Sequence, residues 1–427
     1  MEVLRSNFTS SLPFIKDCLH KCDFVAVDTE FTGLAVSTEE EASLFDSMQE
    51  RYTKVRKVAQ NFILCQIGLS AYIKDSATNK YVAYSFNFYV LPRHQDTRYG
   101  FQASNVDFLC TYKFDFNKLF YDGIPYVDSA LNINTKTTEK GFSSVFNMLV
   151  ELKKPLLGHN MFYDLLLMYE KFYEPLPVQY VDFKQRLHSL FPLIVDTKNV
   201  CLGLRKHLGS TLLEGSSLSE LYTALIRNEG TLLHSPVVCH APECKRYSSG
   251  TYFHEAAYDA FCVGTVFLRI AHLTAMKGLS SMEAYPVACH VYFQKLKPYT
   301  NKINVSRGPL NFVNLIGEDP VHTAPSLLVA KVQRGHTISK RMLEDKLGDL
   351  GNAEVQLLNN GSALIALASV KRAESLLLNT KPNLIHVRKY SWVRDTLPNS
   401  KILWLGLFMS AVGVTGVVVA NALRKNQ

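Results

Sequence analysis

The apolar run Phe24-Val25-Ala26-Val27 passes directly into Asp28-Thr29-Glu30, and this junction constrains the fold more than any other stretch of the chain. A short continuous apolar run of this kind predicts a buried strand, and along a strand side chains two positions apart project to the same face. Asp28 and Glu30 therefore emerge together at the end of a strand that belongs in a core. Two like charges held side by side in such a place repel each other, and a purely structural or binding role has no need of that cost.

Further segments supply matching groups. Lys154-Pro155-Leu156-Leu157-Gly158 reads as a second strand, after which the chain turns through His159 and Asn160 into an apolar helix with Asp164 in its first turn. Unpaired N–H groups and the helix dipole favour an anion at that position. From His254 to Phe267 polar and apolar residues alternate at helical spacing, which predicts a helix starting at His254 with Asp259 one turn further in. A site for two divalent ions roughly 4 Å apart needs carboxylates converging from separate segments and a base for the attacking water. Asp28, Glu30, Asp164 and Asp259 are thus candidate ligands of two Mg²⁺, with Mn²⁺ able to substitute, and His254 is the candidate base, its ordinary pKa lying near neutrality. One Asp among 38 acidic residues is usually a solvated charge. The joint order strand-Asp-x-Glu, strand-Gly-His-Asn-x-x-x-Asp-helix, His-x-x-x-x-Asp-helix carries the reading, and the chemistry it points to is metal-dependent phosphodiester cleavage.

That order resembles the DEDD exonucleases of the subclass with histidine in the last motif. The surrounding text is closer still to their poly(A)-specific ribonuclease branch: Leu4-Arg5-Ser6-Asn7-Phe8, Asp28-Thr29-Glu30-Phe31-Thr32-Gly33-Leu34, Gln66-Ile67-Gly68-Leu69, Ser85-Phe86-Asn87-Phe88-Tyr89, Phe114-Asp115-Phe116-Asn117-Lys118, Gly123-Ile124-Pro125-Tyr126, Pro175-Leu176-Pro177 and Asp196-Thr197-Lys198 all look like that branch. The resemblance implies an α/β, ribonuclease-H-like domain with a mixed sheet and 3′-to-5′ hydrolysis of single-stranded RNA to 5′-mononucleotides. Phe31 and Leu34 are candidates to pack on the terminal bases, and His159 and Asn160 to hydrogen-bond the terminal ribose or phosphate. The match is strongest with the membrane-anchored members that trim piRNA precursors. These imply an Argonaute-family (PIWI) protein carrying the RNA, a tudor/KH-domain membrane scaffold and a homodimer as partners. A general mRNA deadenylase using the same site is the alternative, and a non-catalytic membrane-tethered RNA-binding scaffold a third reading.

The anchor has a physical signature of its own. Residues 402–423 carry no charged side chain, enough helix to cross a hydrocarbon core of roughly 30 Å, with Lys401 before and Arg424-Lys425 after. Gly406, Gly413 and Gly416 weaken a helix in water yet are common in membrane helices. No apolar signal sequence opens the chain, so the expectation is a single-pass tail anchor with the catalytic domain facing the cytosol. The mitochondrial outer membrane is the location that the resemblance implies, and the endoplasmic reticulum the alternative. Nine cysteines at irregular spacing show no framework of the secreted kind, as expected for a reducing compartment. A net charge of +8 permits RNA as a partner without identifying it.

Beyond about Pro298 the character changes. Strands are expected at 326–332, 354–358, 362–368 and 383–390, with helices at 339–350 and 370–378. The order βαββαβ is that of an RNA-recognition motif, but the two central strands lack the aromatic residues on which such domains stack bases, leaving RNA binding and a packing or dimerisation role both open. The expected organisation is an exonuclease domain at 1–297, an RRM-like α+β module at 298–400 and a transmembrane tail at 402–423. The small nucleic-acid-binding insert that the family carries before its Gly-His-Asn motif is replaced by a short polar stretch near 127–140.

Overall fold

A computed structural model describes residues 1–37, 40–75, 78–93, 98–126, 141–208, 213, 215–227, 235–276, 287–308, 310–320, 326–333, 335–347, 353–367 and 385–391. The chain forms two compact units, Met1–Thr323 and Ala324–Gln427.

The first unit is built on a mixed sheet. It opens with β1 (Glu2–Val3), α1 (Phe8–Lys21), β2 (Phe24–Phe31), α2 (Met48–Asn61) and the long hairpin β3 (Leu64–Asp75) and β4 (Lys80–Pro92). There follow α3 (Ala103–Thr111), α4 (Phe116–Asp122), β5 (Ile124–Tyr126), α5 (Ser143–Leu152), β6 (Leu156–Gly158), α6 (Phe162–Phe172), α7 (Tyr180–Leu190), β7 (Ile194–Asp196), α8 (Thr197–Leu208), α9 (Leu218–Arg227), β8 (Val237–His240), α10 (Ala256–Met276), α11 (Cys289–Leu296), β9 (Lys302–Asn304) and β10 (Phe312–Asn314). The strand order is β1-β4-β3-β2-β6-β7, with β5 and β8 also on β4. β2–β3 and β3–β4 are antiparallel, whereas β6 joins β2, and β7 joins β6, in parallel.

Alternation along β2 separates two cores. Val25 and Val27 face a cluster with α1, α5, α6 and α7, and Phe24 and Ala26 face another with α8, α9, α10 and α11. Both faces being covered explains why this strand reads as an uninterrupted apolar run. Asp28 and Glu30 share the parity of Phe24 and Ala26, so they point to the α10 side, and Thr29 points to the α6 side. α10 is long and apolar enough to span a membrane, but it is the central core helix of this unit.

The first unit continues past the boundary expected at 297. β9 and β10 form a two-stranded ribbon, Asn301 N–H donates to Ile194 O at 2.8 Å and Asn304 N–H to the buried Asp196 carboxylate at 3.0 Å, so this ribbon is part of the nuclease unit. The second unit contains β11 (Ser326–Val332), α12 (Lys340–Leu347), β12 (Ala353–Asn359), β13 (Ser362–Leu367) and β14 (Ile385–Lys389). Its antiparallel sheet has the order β12-β13-β11-β14, the order of a βαββαβ unit, and α12 covers it through Leu343 and Leu347 against Leu328, Val355 and Ile365. None of the four strands carries Phe, Tyr or Trp. The helix expected at 370–378, the polar stretch 127–140 and the anchor at 402–423 lie outside the described residues.

Candidate active site

The carboxyl ends of the parallel strands β2 and β6 lie side by side, the place where open α/β sheets bind ligands. A cavity of about 550 Å³ opens there, and among its walls are Asp28, Glu30, Phe31, Leu34, His159, Asn160, His254 and Asp259. Asp164 stands behind it on α6, where Thr29 Oγ1 donates to its Oδ1 at 2.6 Å. The acidic groups thus converge from both faces around the end of one strand.

Glu30, His254 and Asp259 bring one ligand-type atom each to within 4.8 Å of one another. Burial, then the nearby charges of Asp259 and Asp164, holds Glu30 well above the ordinary carboxylate range; the same causes and Glu30 itself act on Asp28. Burial pushes Asp164 to about 6, against the lowering hydrogen bond from Thr29, and Asp259 to about 7. Among the described residues no Lys or Arg pairs with any of the four, and Asp259 Oδ1 is buried without a hydrogen-bond partner. A cluster of this kind fits cations: hard oxygen donors, excess negative charge and an orphaned lone pair all await one.

His254 lies two residues before α10 rather than on it. Its backbone is left-handed (φ 68°), and its N–H donates to Asp259 Oδ2 at 3.0 Å. Periodicity extends the helix back to residue 254 because it cannot register this turn. The imidazole packs against Tyr112 and Phe108, with ring centroids 3.9 and 4.9 Å away, and neither of its nitrogens is hydrogen-bonded among the described residues. Burial lowers its pKa, so the ring is neutral and can accept a proton at neutral pH.

Two expected substrate contacts, His159 and Asn160, are engaged within the protein. His159 lines the cavity, but its Nδ1 lies 2.9 Å from Thr197 Oγ1 and its Nε2 3.1 Å from Ser216 O. Burial depresses its pKa to about 3, so the ring is neutral; Nε2 donates to Ser216 O, and Nδ1 lies against the Thr197 hydroxyl, which is also 3.0 Å from Gly158 O, so both nitrogens face protein groups. Asn160 adopts φ 61°, and its Oδ1 accepts from Asn304 Nδ2 at 2.6 Å and Ser306 Oγ at 2.8 Å. Only its Nδ2 lacks a partner among the described residues. Phe31 stacks on Tyr163 at 6.0 Å, and Leu34 is held at the rim by its N–H to Gln102 Oε1 at 2.8 Å. Ser104, Asn105, Phe108 and Leu218 also line the cavity. Sequence reasoning missed these four and Tyr112, although Phe108 and Tyr112, four apart at the end of a short helix, form a readable aromatic pair.

Carboxylates gathered around a neutral histidine at the carboxyl end of a mixed sheet define a hydrolytic nuclease. A family model described as CAF1 family ribonuclease matches residues 3–139 and 130–267, and the chain belongs to that family. It is a 3′-to-5′ exoribonuclease. Poly(A)-specific ribonuclease PNLDC1 of Mus musculus is 32% identical, over 88% of this chain and 91% of that protein. The pre-piRNA 3′-exonuclease trimmer of Bombyx mori is 24% identical over 95% and 96%, and the human poly(A)-specific ribonuclease PARN 24% over 89% and 78%. Among solved structures, S. pombe Pop2p in a Mg²⁺- and Mn²⁺-bound form superposes with a TM-score of 0.42 at 17% identity, over 63% of this chain and 90% of that one.

Proposed function

We propose that this enzyme trims the 3′ ends of single-stranded RNA, piRNA precursors above all, at a site where Asp28, Glu30, Asp164 and Asp259 hold two Mg²⁺ or Mn²⁺. The observation that carries the metal assignment is the group of four carboxylates with no Lys or Arg partner among the described residues, one of them with a buried, unpartnered oxygen. Bound there, divalent cations supply charge that acidifies water and stabilises a leaving oxygen. His254, neutral and with neither nitrogen hydrogen-bonded among the described residues, takes the proton of the attacking water. Thr29 keeps Asp164 ionisable and oriented toward the strand end. Phe31 and Leu34 offer apolar surface for the terminal bases, and the free Nδ2 of Asn160 a donor for a phosphate or ribose oxygen.

The piRNA substrate is supported by the name of the Bombyx mori relative, a pre-piRNA trimmer, and deadenylation by the poly(A)-specific names of the mouse and human relatives. From the charge-free stretch 402–423 and the sequence resemblance alone, we further propose a membrane-anchored enzyme fed by a PIWI protein on a tudor/KH scaffold at the mitochondrial surface, with residues 402–423 as the anchor and the second unit as an RNA-binding or dimerisation module. The full chain, incubated with Mg²⁺ and 3′-extended RNAs of mixed or poly(A) sequence, should shorten both from the 3′ end at similar rates. Activity on poly(A) alone would make it a deadenylase, and equal cleavage of circular and linear RNA would exclude an exonuclease.

A further inference from the structure

Two of the segments through which the sequence resembles its family, Gln66-Ile67-Gly68-Leu69 and Ser85-Phe86-Asn87-Phe88-Tyr89, contribute no ligand and no wall to the cavity. Register shows what they adjoin. Asp28 lies opposite Gly68, which lies opposite Asn87, so the three form one row across β2, β3 and β4; Glu30 and Gln66 form the next. Directly opposed residues share a face, so both rows face α10.

The start of α10 rests on these rows. A Cβ at Gly68 would stand 2.0 Å from the carbonyl carbon and oxygen of Ala256 and 2.3 Å from Ala257 N. The obstacle is backbone, so no side-chain rotation relieves it. Beside this gap Gln66 Oε1 accepts the N–H of Ala256 at 2.9 Å, and Asn87 Oδ1 that of Ala257 at 3.3 Å. Gln66 and Asn87 are 2% and 1% exposed. The first amides of a helix have no partner within it and are usually satisfied by the residue just before it. Here two buried side chains of the sheet satisfy them.

We infer that Gly68, Gln66 and Asn87 are positioning residues: by seating the first turn of α10 directly on the row that carries Asp28, they set the separation between the β2 carboxylates and Asp259, and with it the affinity for divalent cations. Asp259 lies within the turn so anchored, its carboxylate turned back onto His254 N–H. A shift of the helix end by the width of a methyl group would move Asp259 and the His254 turn together, away from Glu30. This inference rests on the proposed metal site.

The test is Mn²⁺ binding to the full chain, followed by electron paramagnetic resonance and calorimetry. Residues that orient metal ligands typically account for about 10–100-fold in affinity. Gly68→Ala and Gln66→Ala should weaken Mn²⁺ binding by roughly that factor while far-UV circular dichroism shows a folded protein. Phe267→Ala, deep on the same helix against Phe24, provides the control, since it should lower the melting temperature and leave Mn²⁺ affinity at the wild-type value. Wild-type affinity in folded Gln66→Ala, or an equal loss in Phe267→Ala, would overturn the inference; Gln66→Ala introduces no bulk and keeps the test open should Gly68→Ala not fold. Asp259→Ala separates the two levels: if it too binds Mn²⁺ as wild type does, the metal assignment itself fails.

Discussion

Asp259 shows most directly how the sites of charge and of stability are opposed. Its pKa near 7 and that of Asp164 near 6, both raised mainly by burial, lie above the ordinary 3.8 of an aspartate in an unfolded chain. Between about pH 4 and 7 the folded state therefore holds protons that the unfolded state releases, and stability falls as pH rises through that window. In EDTA the melting temperature should drop from pH 4.5 to 7.5, and Mg²⁺ should restore it at the upper end, where the carboxylates are ionised; a flat profile would mean that these groups carry no folding penalty. Asp28→Ala and Asp259→Ala should abolish hydrolysis yet melt at or above the wild-type temperature in EDTA at pH 7.5, because each removes a buried like charge. His254→Ala should slow single-turnover hydrolysis roughly 10²–10⁴-fold with Mn²⁺ affinity unchanged. An altered affinity at an unchanged rate would make His254 a ligand. At this scale the acidic set was legible because strand ends and helix starts leave local patterns. The role of His159 was not, since Thr197 and Ser216, which occupy its ring nitrogens, come from segments that nothing in the local sequence places beside it.

At the scale of elements, Asp196 governs how the motif after β6 is held. This fully buried carboxylate accepts the N–H groups of Asn160, Met161, Lys198, Asn199 and Asn304, joining the turn that leads to α6, the start of α8 and the end of β9. Removing it orphans backbone donors in the core, and hydrogen bonds to a buried charge carry about 1.5–3 kcal/mol each. Asp196→Ala should therefore destabilise the enzyme by at least about 3 kcal/mol in urea unfolding. Asp196→Asn should recover only part of this, since an amide has a single acceptor oxygen. The segment Asp196-Thr197-Lys198 was recognisable as family-like, but its partner β9 lay beyond the expected domain boundary, where composition changes before the packing does. The strands β2 and β6 and the helix α6 were readable from apolar runs bounded by turn residues. The start of α10 was misplaced because its capping groups are supplied by Gln66 and Asn87, distant in sequence.

For the whole molecule, the catalytic unit and the charge-free stretch 402–423 pose separate physical problems. Every candidate ligand lies within Met1–Thr323, so removing residues 401–427 takes away no group of the cavity. The second unit shows how far sequence reaches: its four strands were readable from short runs between turn residues, whereas its role was not, because strands without Phe, Tyr or Trp leave base stacking without a platform. The proposed anchor would act through concentration, confining enzyme to the surface where substrate is delivered without adding an active-site contact. The truncated protein should hydrolyse naked RNA at the rate of the full chain in detergent, yet leave untrimmed RNA ends in cells, and an unrelated mitochondrial tail anchor should restore trimming. Loss of activity on naked RNA would place the segment within the fold, and full trimming by the soluble form would show that membrane location is not what the tail provides.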